Sequence, residues 1–129
     1  MSMEQQEMLE RVQAWRVLVV DDHASFRRCA SELLVAEGFD VVGEAGDGAS
    51  AVALAARLKP ELVLLDIQLP DTDGFAVAER LLAGHPGVQI VLVSSRDRSA
   101  YGPLIEASGA VGFISKAELT GEALERLLE

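Results

Sequence analysis

Two hydrophobic rhythms alternate along this chain. In one, apolar residues follow each other without a break, as in Val17-Leu18-Val19-Val20, Leu62-Val63-Leu64-Leu65 and Ile90-Val91-Leu92-Val93. Such a run reads as a strand buried on both faces, the mark of a parallel sheet covered by helices. Shorter strands are expected over residues 40–45 and 111–115. In the other rhythm, apolar residues recur at three and four positions, as on one face of a helix. Phe26, Cys29, Ala30, Leu33 and Leu34 form such a face, which Gly38 stops. Cys29 is thereby expected to be a small core residue and not a redox group. Asp47 is placed to cap a helix carrying Ala51, Leu54, Ala55 and Leu58, ended by Pro60. Asp73 caps the next, with Gly74, Val77, Ala78, Leu81 and Leu82, which is broken at Gly84-His85-Pro86-Gly87. Pro103 suits the first position of a short helix running to about Ser108. A last helix begins near Thr120 and carries Ala123, Leu124, Leu127 and Leu128. Strand and helix thus alternate five times. That pattern predicts an α/β fold with a mainly parallel sheet, right-handed crossovers and helices on both faces.

Ahead of the first strand, Met8, Leu9, Val12 and Trp15 stand at roughly helical spacing in a polar, acidic segment, read as a weakly docked helix. Residues 1–15 are accordingly taken as an N-terminal extension and 16–129 as one domain. A chain of 129 residues holds one core of useful size. The formal net charge of -10 argues against direct binding to nucleic acid or an anionic membrane, both of which need a basic face. Cys29 is the only cysteine, so an internal disulfide is impossible. No stretch resembles a membrane span or the apolar core of a signal peptide, and a cytoplasmic protein is expected.

The chemistry gathers at the strand ends. Asp21 and Asp22 follow the first strand, and Asp66 closes the third before a Pro/Asp/Gly loop. Parallel α/β sheets bind their ligands in the crevice outside those carboxyl ends. One acid there could cap a helix or a loop; three at two strand ends point to a metal site. Like charges about 4 Å apart repel by about 4 kcal/mol at an effective dielectric near 20. A hard divalent cation relieves that repulsion, and Mg2+ suits a site of one or two carboxylates, a carbonyl and retained waters. Ser94 closes the fourth strand and Lys116 the fifth. Alone, each is an ordinary loop cap or solvated lysine; together, at the same edge, a hydroxyl and an ammonium describe a phosphate site. His23, beside the acids, reads as a surface residue at a helix start.

The segments Val-Leu-Val-Val-Asp21-Asp22, Leu-Val-Leu-Leu-Asp66-Ile-Gln-Leu-Pro70-Asp-Thr-Asp-Gly74, Ile-Val-Leu-Val-Ser94 and Gly109-Ala-Val-Gly-Phe113-Ile-Ser-Lys116, in this order and spacing, resemble a response-regulator receiver domain, the family of the bacterial chemotaxis regulator. The resemblance spans Arg16 to about Leu128. It implies a flavodoxin-like three-layer (βα)5 fold, with a five-stranded parallel sheet in the order 2-1-3-4-5 known for the chemotaxis member. It implies that Asp66 is the phospho-acceptor for a histidine kinase's phosphohistidine. Asp22 and Asp66 would bind Mg2+ with the backbone carbonyl of Gln68, and Asp21 through water. Lys116 would pair with the phosphoryl oxygens, Ser94 would move towards them, and Phe113 would turn inward behind it. Chemistry would thereby be coupled to the face around the fourth helix, fifth strand and fifth helix. Gln68 and Arg96 stand where receivers tune the lifetime of the aspartyl phosphate. The implied partners are a histidine kinase and a second copy of the chain, with self-phosphorylation and self-dephosphorylation the only catalysis.

The departures are local. Ala117 follows Lys116 where many receivers have proline, as in receivers of LuxR/NarL-type regulators, which usually continue into a DNA-binding helix-turn-helix. The expectation is a receiver controlling transcription through a DNA-binding domain not present in this chain. Phe113 lacks the hydroxyl of the commoner tyrosine, and Gly102-Pro103 should shorten the fourth helix. The alternative is a phosphorylation-independent receiver acting as a constitutive dimerisation or binding module. An aspartyl-nucleophile hydrolase of the haloacid-dehalogenase type would need an acid where Gln68 stands. A flavin-binding domain would need a glycine/serine loop where Asp21 and Asp22 stand.

Overall fold

The computed structural model describes residues 2, 3 and 15–128. Of the docked helix expected over 3–15, residues 4–14 lie outside the described residues, while Trp15 is half-buried against the core. From there the chain forms β1 (Arg16–Val20), α1 (Ala24–Ala36), β2 (Asp40–Ala45), α2 (Gly48–Leu58), β3 (Leu62–Asp66), α3 (Gly74–Gly84), β4 (Gln89–Ser94), α4 (Leu104–Ala107), β5 (Gly112–Ser115) and α5 (Gly121–Leu127). Two 3-10 turns, Arg98–Ala100 and Lys116–Glu118, follow β4 and β5. All strand pairs are parallel, in the order 2-1-3-4-5.

Successive strand residues point to opposite faces, and the chain fills both. Leu18, Val20, Val63, Leu65, Ile90 and Leu92 pack against α2, α3 and α4, through Ala51, Ala55, Val77, Leu81 and Ile105. Val17, Val19, Leu62, Leu64, Val91 and Val93 pack against α1 and α5, through Ala30, Leu34 and Leu124. The layers are helix, sheet, helix, and every residue of β3 is buried. Each large aliphatic side chain so buried contributes about 1.5–3 kcal/mol, so the sheet centre is the firmest part of the molecule.

Local chemistry fixes the helix ends. Asp47, Asp73 and Thr120 accept the backbone N–H groups of Ser50, Ala76 and Ala123, capping α2, α3 and α5 as N-cap side chains do. At the far end of α2 the Arg16 guanidinium donates to the carbonyls of Leu58 and Lys59, at 2.7 and 2.9 Å. That clamp joins the helix to the start of β1 and satisfies carbonyls the helix leaves free. Between β3 and α3, Gly74 N–H donates to the Ile67 carbonyl at 2.6 Å. A Cβ there would lie 2.6 Å from the Asp66 carbonyl oxygen and 2.7 Å from Ile67 Cα, so the chain turns back on Asp66 only with glycine at this position.

One expectation is corrected. Cys29 is exposed, not a core residue. The buried line of α1 runs through Ala30, Ser31 and Leu34. At 3.6 residues per turn Cys29 lies about 100° from Ala30, and the helix is rotated so that Ser31 takes the buried shoulder. Among the described residues no helix is long and apolar enough to cross a membrane.

Candidate functional site

Parallel pairing brings all strand ends to one edge, where β1 lies beside β3 and β3 beside β4. Asp21 follows β1 there, fully buried, with its N–H held by the Ala45 carbonyl of β2 at 3.0 Å. Arg27, one turn into α1, donates to the Asp21 carbonyl at 2.5 Å and pairs with Glu44 at 3.2 Å. These contacts fix the backbone, while the carboxylate faces the crevice. Its Oδ1 accepts the His23 N–H at 2.8 Å. Its Oδ2 lies 2.6 Å from Lys116 Nζ, yet the geometry is not that of a hydrogen bond, and this buried oxygen accepts none. The contact is a Coulombic one.

Asp66, 3% exposed, is the second buried acid. Its Oδ1 accepts the Gln68 N–H at 3.2 Å and its Oδ2 lies 3.5 Å from Lys116 Nζ. Burial, followed by the negative charge of Asp21, lifts the Asp66 carboxyl from 3.8 to about 6, against the lowering pull of Lys116 and of the Gln68 N–H. The lysine stands between the two acids and over the Phe26 ring, 4.4 Å from its centroid, in a cation–π contact that steadies it. Asp22 is more exposed, and the His23 ring Nδ1 lies 3.1 Å from its Oδ1 and 3.3 Å from Asp21 Oδ1. His23 is the exposed residue at the start of α1 that its position in the sequence implies.

One ligand atom from each of Asp21, Asp22, His23 and Asp66 lies within 4.8 Å of the others. Burial, and then the negative charge of Asp21, push the Asp66 carboxyl up even though Lys116 stands between the two acids, so one lysine does not fully offset two buried carboxylates. Three carboxylates offering hard oxygen donors fit a divalent cation of the Mg2+ kind.

The remaining expected residues form a second group. Ser94, 1% exposed, turns its hydroxyl to Tyr101 Oη at 2.5 Å and accepts the Arg96 N–H at 3.1 Å. The Tyr101 ring meets Phe75 edge-on, with centroids 5.8 Å apart, and tilts against Phe113 at 6.0 Å. The structure therefore brings Asp21, Asp22, Asp66 and Lys116 together, and sets Ser94 and Phe113 around a tyrosine. Gln68 is held near the acids by its N–H and by a β-bridge to Asp73. Sequence reasoning missed Tyr101, whose signal was a lone aromatic in a polar stretch. It also missed Asp71, which accepts the Gly48 and Ala49 N–H groups of α2 at 2.8 and 3.0 Å. Nothing local in the sequence announces that second contact, since it joins segments more than twenty positions apart.

Comparison with known proteins identifies the family of this fold. A family model described as response regulator receiver domain matches residues 17–128. Response regulator GacA of Pseudomonas aeruginosa is 33% identical over 115 residues, 88% of this chain and 52% of that protein. A protein-glutamate methylesterase/protein-glutamine glutaminase of Anaeromyxobacter dehalogenans is 42% identical over 117 residues, 88% of this chain and 33% of that protein. The signal receiver domain of NarL from Mycobacterium tuberculosis superimposes with a TM-score of 0.76 at 33% identity, covering 88% of this chain and 95% of that one. The chain spans about half the length of GacA and a third of the methylesterase.

Proposed function

The chain belongs to the response regulator receiver family of two-component signalling, and from that premise we propose that Asp66 accepts a phosphoryl group from the phosphohistidine of a histidine kinase. The observation that carries this reading is a buried carboxylate at a strand end, sharing one lysine with a second buried carboxylate. At pH 7 a carboxyl titrating at about 6 is mostly ionised and can act as a nucleophile. An Asp66 oxygen attacks phosphorus, the P–N bond breaks, and its electron pair returns to the imidazole nitrogen. The Lys116 ammonium, already between Asp21 and Asp66, neutralises an oxygen of the incoming group. The Ser94 hydroxyl donates to another once it turns from Tyr101. Asp22, Asp66 and the Gln68 carbonyl would hold Mg2+, with Asp21 beyond them through water. The cation supplies positive charge against the carboxylate repulsion and against the charge on the phosphoryl oxygens.

Ser94 and Phe113 are the proposed switch residues, and the phosphoryl group shifts the protein between two states only through better contacts in one. The output is proposed to be control of transcription by a DNA-binding domain outside this chain, with a second copy of the chain as candidate partner. Gln68 and Arg96 are proposed to tune the phosphoryl lifetime, in a domain that turns over no other substrate.

Intact-protein mass spectrometry after incubation with acetyl phosphate and Mg2+ tests the reading. The expected result is one phosphoryl adduct that needs Mg2+ and vanishes in Asp66→Asn. A folded, Mg2+-binding protein that takes no phosphoryl group, even from a kinase, would instead be a constitutive interaction module.

A further inference from the structure

Ser94 is committed away from Asp66. A serine hydroxyl has one donor and two acceptor sites. Here the Arg96 N–H fills one acceptor site and Tyr101 Oη, at 2.5 Å, engages the hydroxyl a second time. Among the described residues, the hydrogen-bond partners of the Asp66 carboxylate are the Gln68 N–H and Lys116, with Ser94 not among them. Either hydroxyl can be the donor in this pair; with Ser94 donating, its single O–H is taken, and reaching a phosphoryl oxygen on Asp66 means giving up Tyr101.

The phenol is not a loose competitor. Its ring packs against Phe75 of α3 and against Phe113 of β5. Packing from two separate elements therefore sets where the hydroxyl sits, although Tyr101 itself belongs to an irregular segment. Gly102 beside it has φ +55, and residues 95–100 are all exposed. Phe113, expected to read the switch, has a ring without a polar atom. Tyr101 is the only tyrosine in the chain and supplies the polar end that Phe113 lacks.

We propose that Tyr101 is a positioning residue that latches the Ser94 hydroxyl away from Asp66, so that phosphoryl binding must break this bond and thereby loosens the segment between β4 and α4. The proposal rests on Asp66 as phosphoryl acceptor. Coupling of this kind is reciprocal: what the latch takes from phosphoryl binding, phosphoryl binding takes from the latch. Phe75 and Phe113 would then register the release, the first on α3 and the second on β5.

The test is a double-mutant cycle of Tyr101→Phe and Ser94→Ala, read by calorimetric titration with beryllium fluoride in saturating Mg2+. Backbone hydrogen exchange over residues 95–104 is measured beside it without beryllium. Tyr101→Phe keeps the ring and removes only the hydroxyl. With Ser94 present it should tighten beryllium fluoride about fivefold, the worth of one hydrogen bond, and speed exchange in the segment by a similar factor. In the Ser94→Ala background both effects should vanish. Unchanged or weaker binding in Tyr101→Phe overturns the latch, as does an equal gain without Ser94, which would mean that the ring pocket alone had changed. If the wild-type protein binds no beryllium fluoride, the acceptor reading fails and hydrogen exchange decides the latch. Exchange that quickens only when Ser94 is present upholds it, and unchanged exchange refutes it.

Discussion

The two halves of the strand-end edge are built differently. On the side of β1 and β3, the acids stand on strands buried on both faces and backed by α1, α2 and α3, of 13, 11 and 11 residues. On the side of β4 and β5, the backing is α4 of four residues, α5 of seven, and two 3-10 turns. The first half holds charges in place against their mutual repulsion, which needs a rigid frame. The second offers Lys116, a hydroxyl and two aromatic rings, Tyr101 and Phe113, beside the exposed segment 95–100, where few apolar contacts oppose local opening. The acids stand on the stiff half, and the segment free to move lies on the soft one.

The contrast can be broken most directly by removing one leucine from each half. Leu64, fully buried in β3, should cost about 3–5 kcal/mol as Leu64→Ala, through lost burial and the cavity left behind. Leu104, 54% exposed at the start of α4, should cost less than about 0.5 kcal/mol as Leu104→Ala. Urea unfolding of the two variants measures both. A loss at Leu104 approaching that at Leu64 would mean that the soft half is packed as tightly as the acid half, and the comparison would fall.

The charge on the stiff half gives the next largest effect. Asp66 titrates at about 6 in the folded protein, against 3.8 for an unperturbed group. Its folded form therefore holds the proton more tightly than the unfolded chain. The stability this group confers is complete below pH 3.8 and is lost as the pH rises through 6. At about 1.4 kcal/mol per pKa unit, ionised Asp66 should cost the Mg2+-free protein about 2–3 kcal/mol at pH 8. Asp66→Asn should then be the more stable protein at pH 8 without Mg2+, with the gap closing towards pH 4. Saturating Mg2+ should stabilise the wild type and narrow the gap, because a ligand of the folded state adds stability by mass action. Thermal melts of both proteins at several pH values, with and without Mg2+, measure this. A gap that does not change with pH would mean that burial and the charge of Asp21 do not raise the Asp66 carboxyl.

The same division separates what the sequence made legible from what it did not. Uninterrupted apolar runs and caps at Asp47, Asp73 and Thr120 are local signals, and they placed the strands and most helix ends. Asp21, Asp22 and Asp66 were readable because each directly follows or closes such a run, so their meeting needed only the strand order, which came from family resemblance. Ser94 and Lys116 were readable as positions, but not the partners they hold. Tyr101 escaped because its role depends on where a short irregular segment folds back, and no period marks that. Cys29 was misplaced for a related reason: a face of Phe26, Cys29, Ala30, Leu33 and Leu34 is wider than the helix can bury, and packing decided which edge was left out.

Asp71 links the stiff half to the loop behind the acceptor, and it should give the smallest effect. The Gly48 and Ala49 N–H groups of α2 donate to its two carboxylate oxygens, and these bonds hold its carboxyl below the ordinary range. Asp47 already caps the same helix through the Ser50 N–H. The loss in Asp71→Ala is therefore only that of a second, solvent-facing cap. A lowered carboxyl confers stability above its unfolded value of 3.8 and loses it as the pH falls through the folded one. The small fall in melting temperature of Asp71→Ala should therefore be present at pH 7 and absent in strong acid, opposite in sense to the Asp66 effect. Because Asp71 lies five positions after Asp66, the variant should also free the loop carrying Gln68, and hydrogen exchange across 67–73 would rise. If exchange there stays unchanged while α2 loosens, Asp71 serves the helix alone, and the rigidity around Asp66 comes instead from Gly74 and the Gln68–Asp73 bridge.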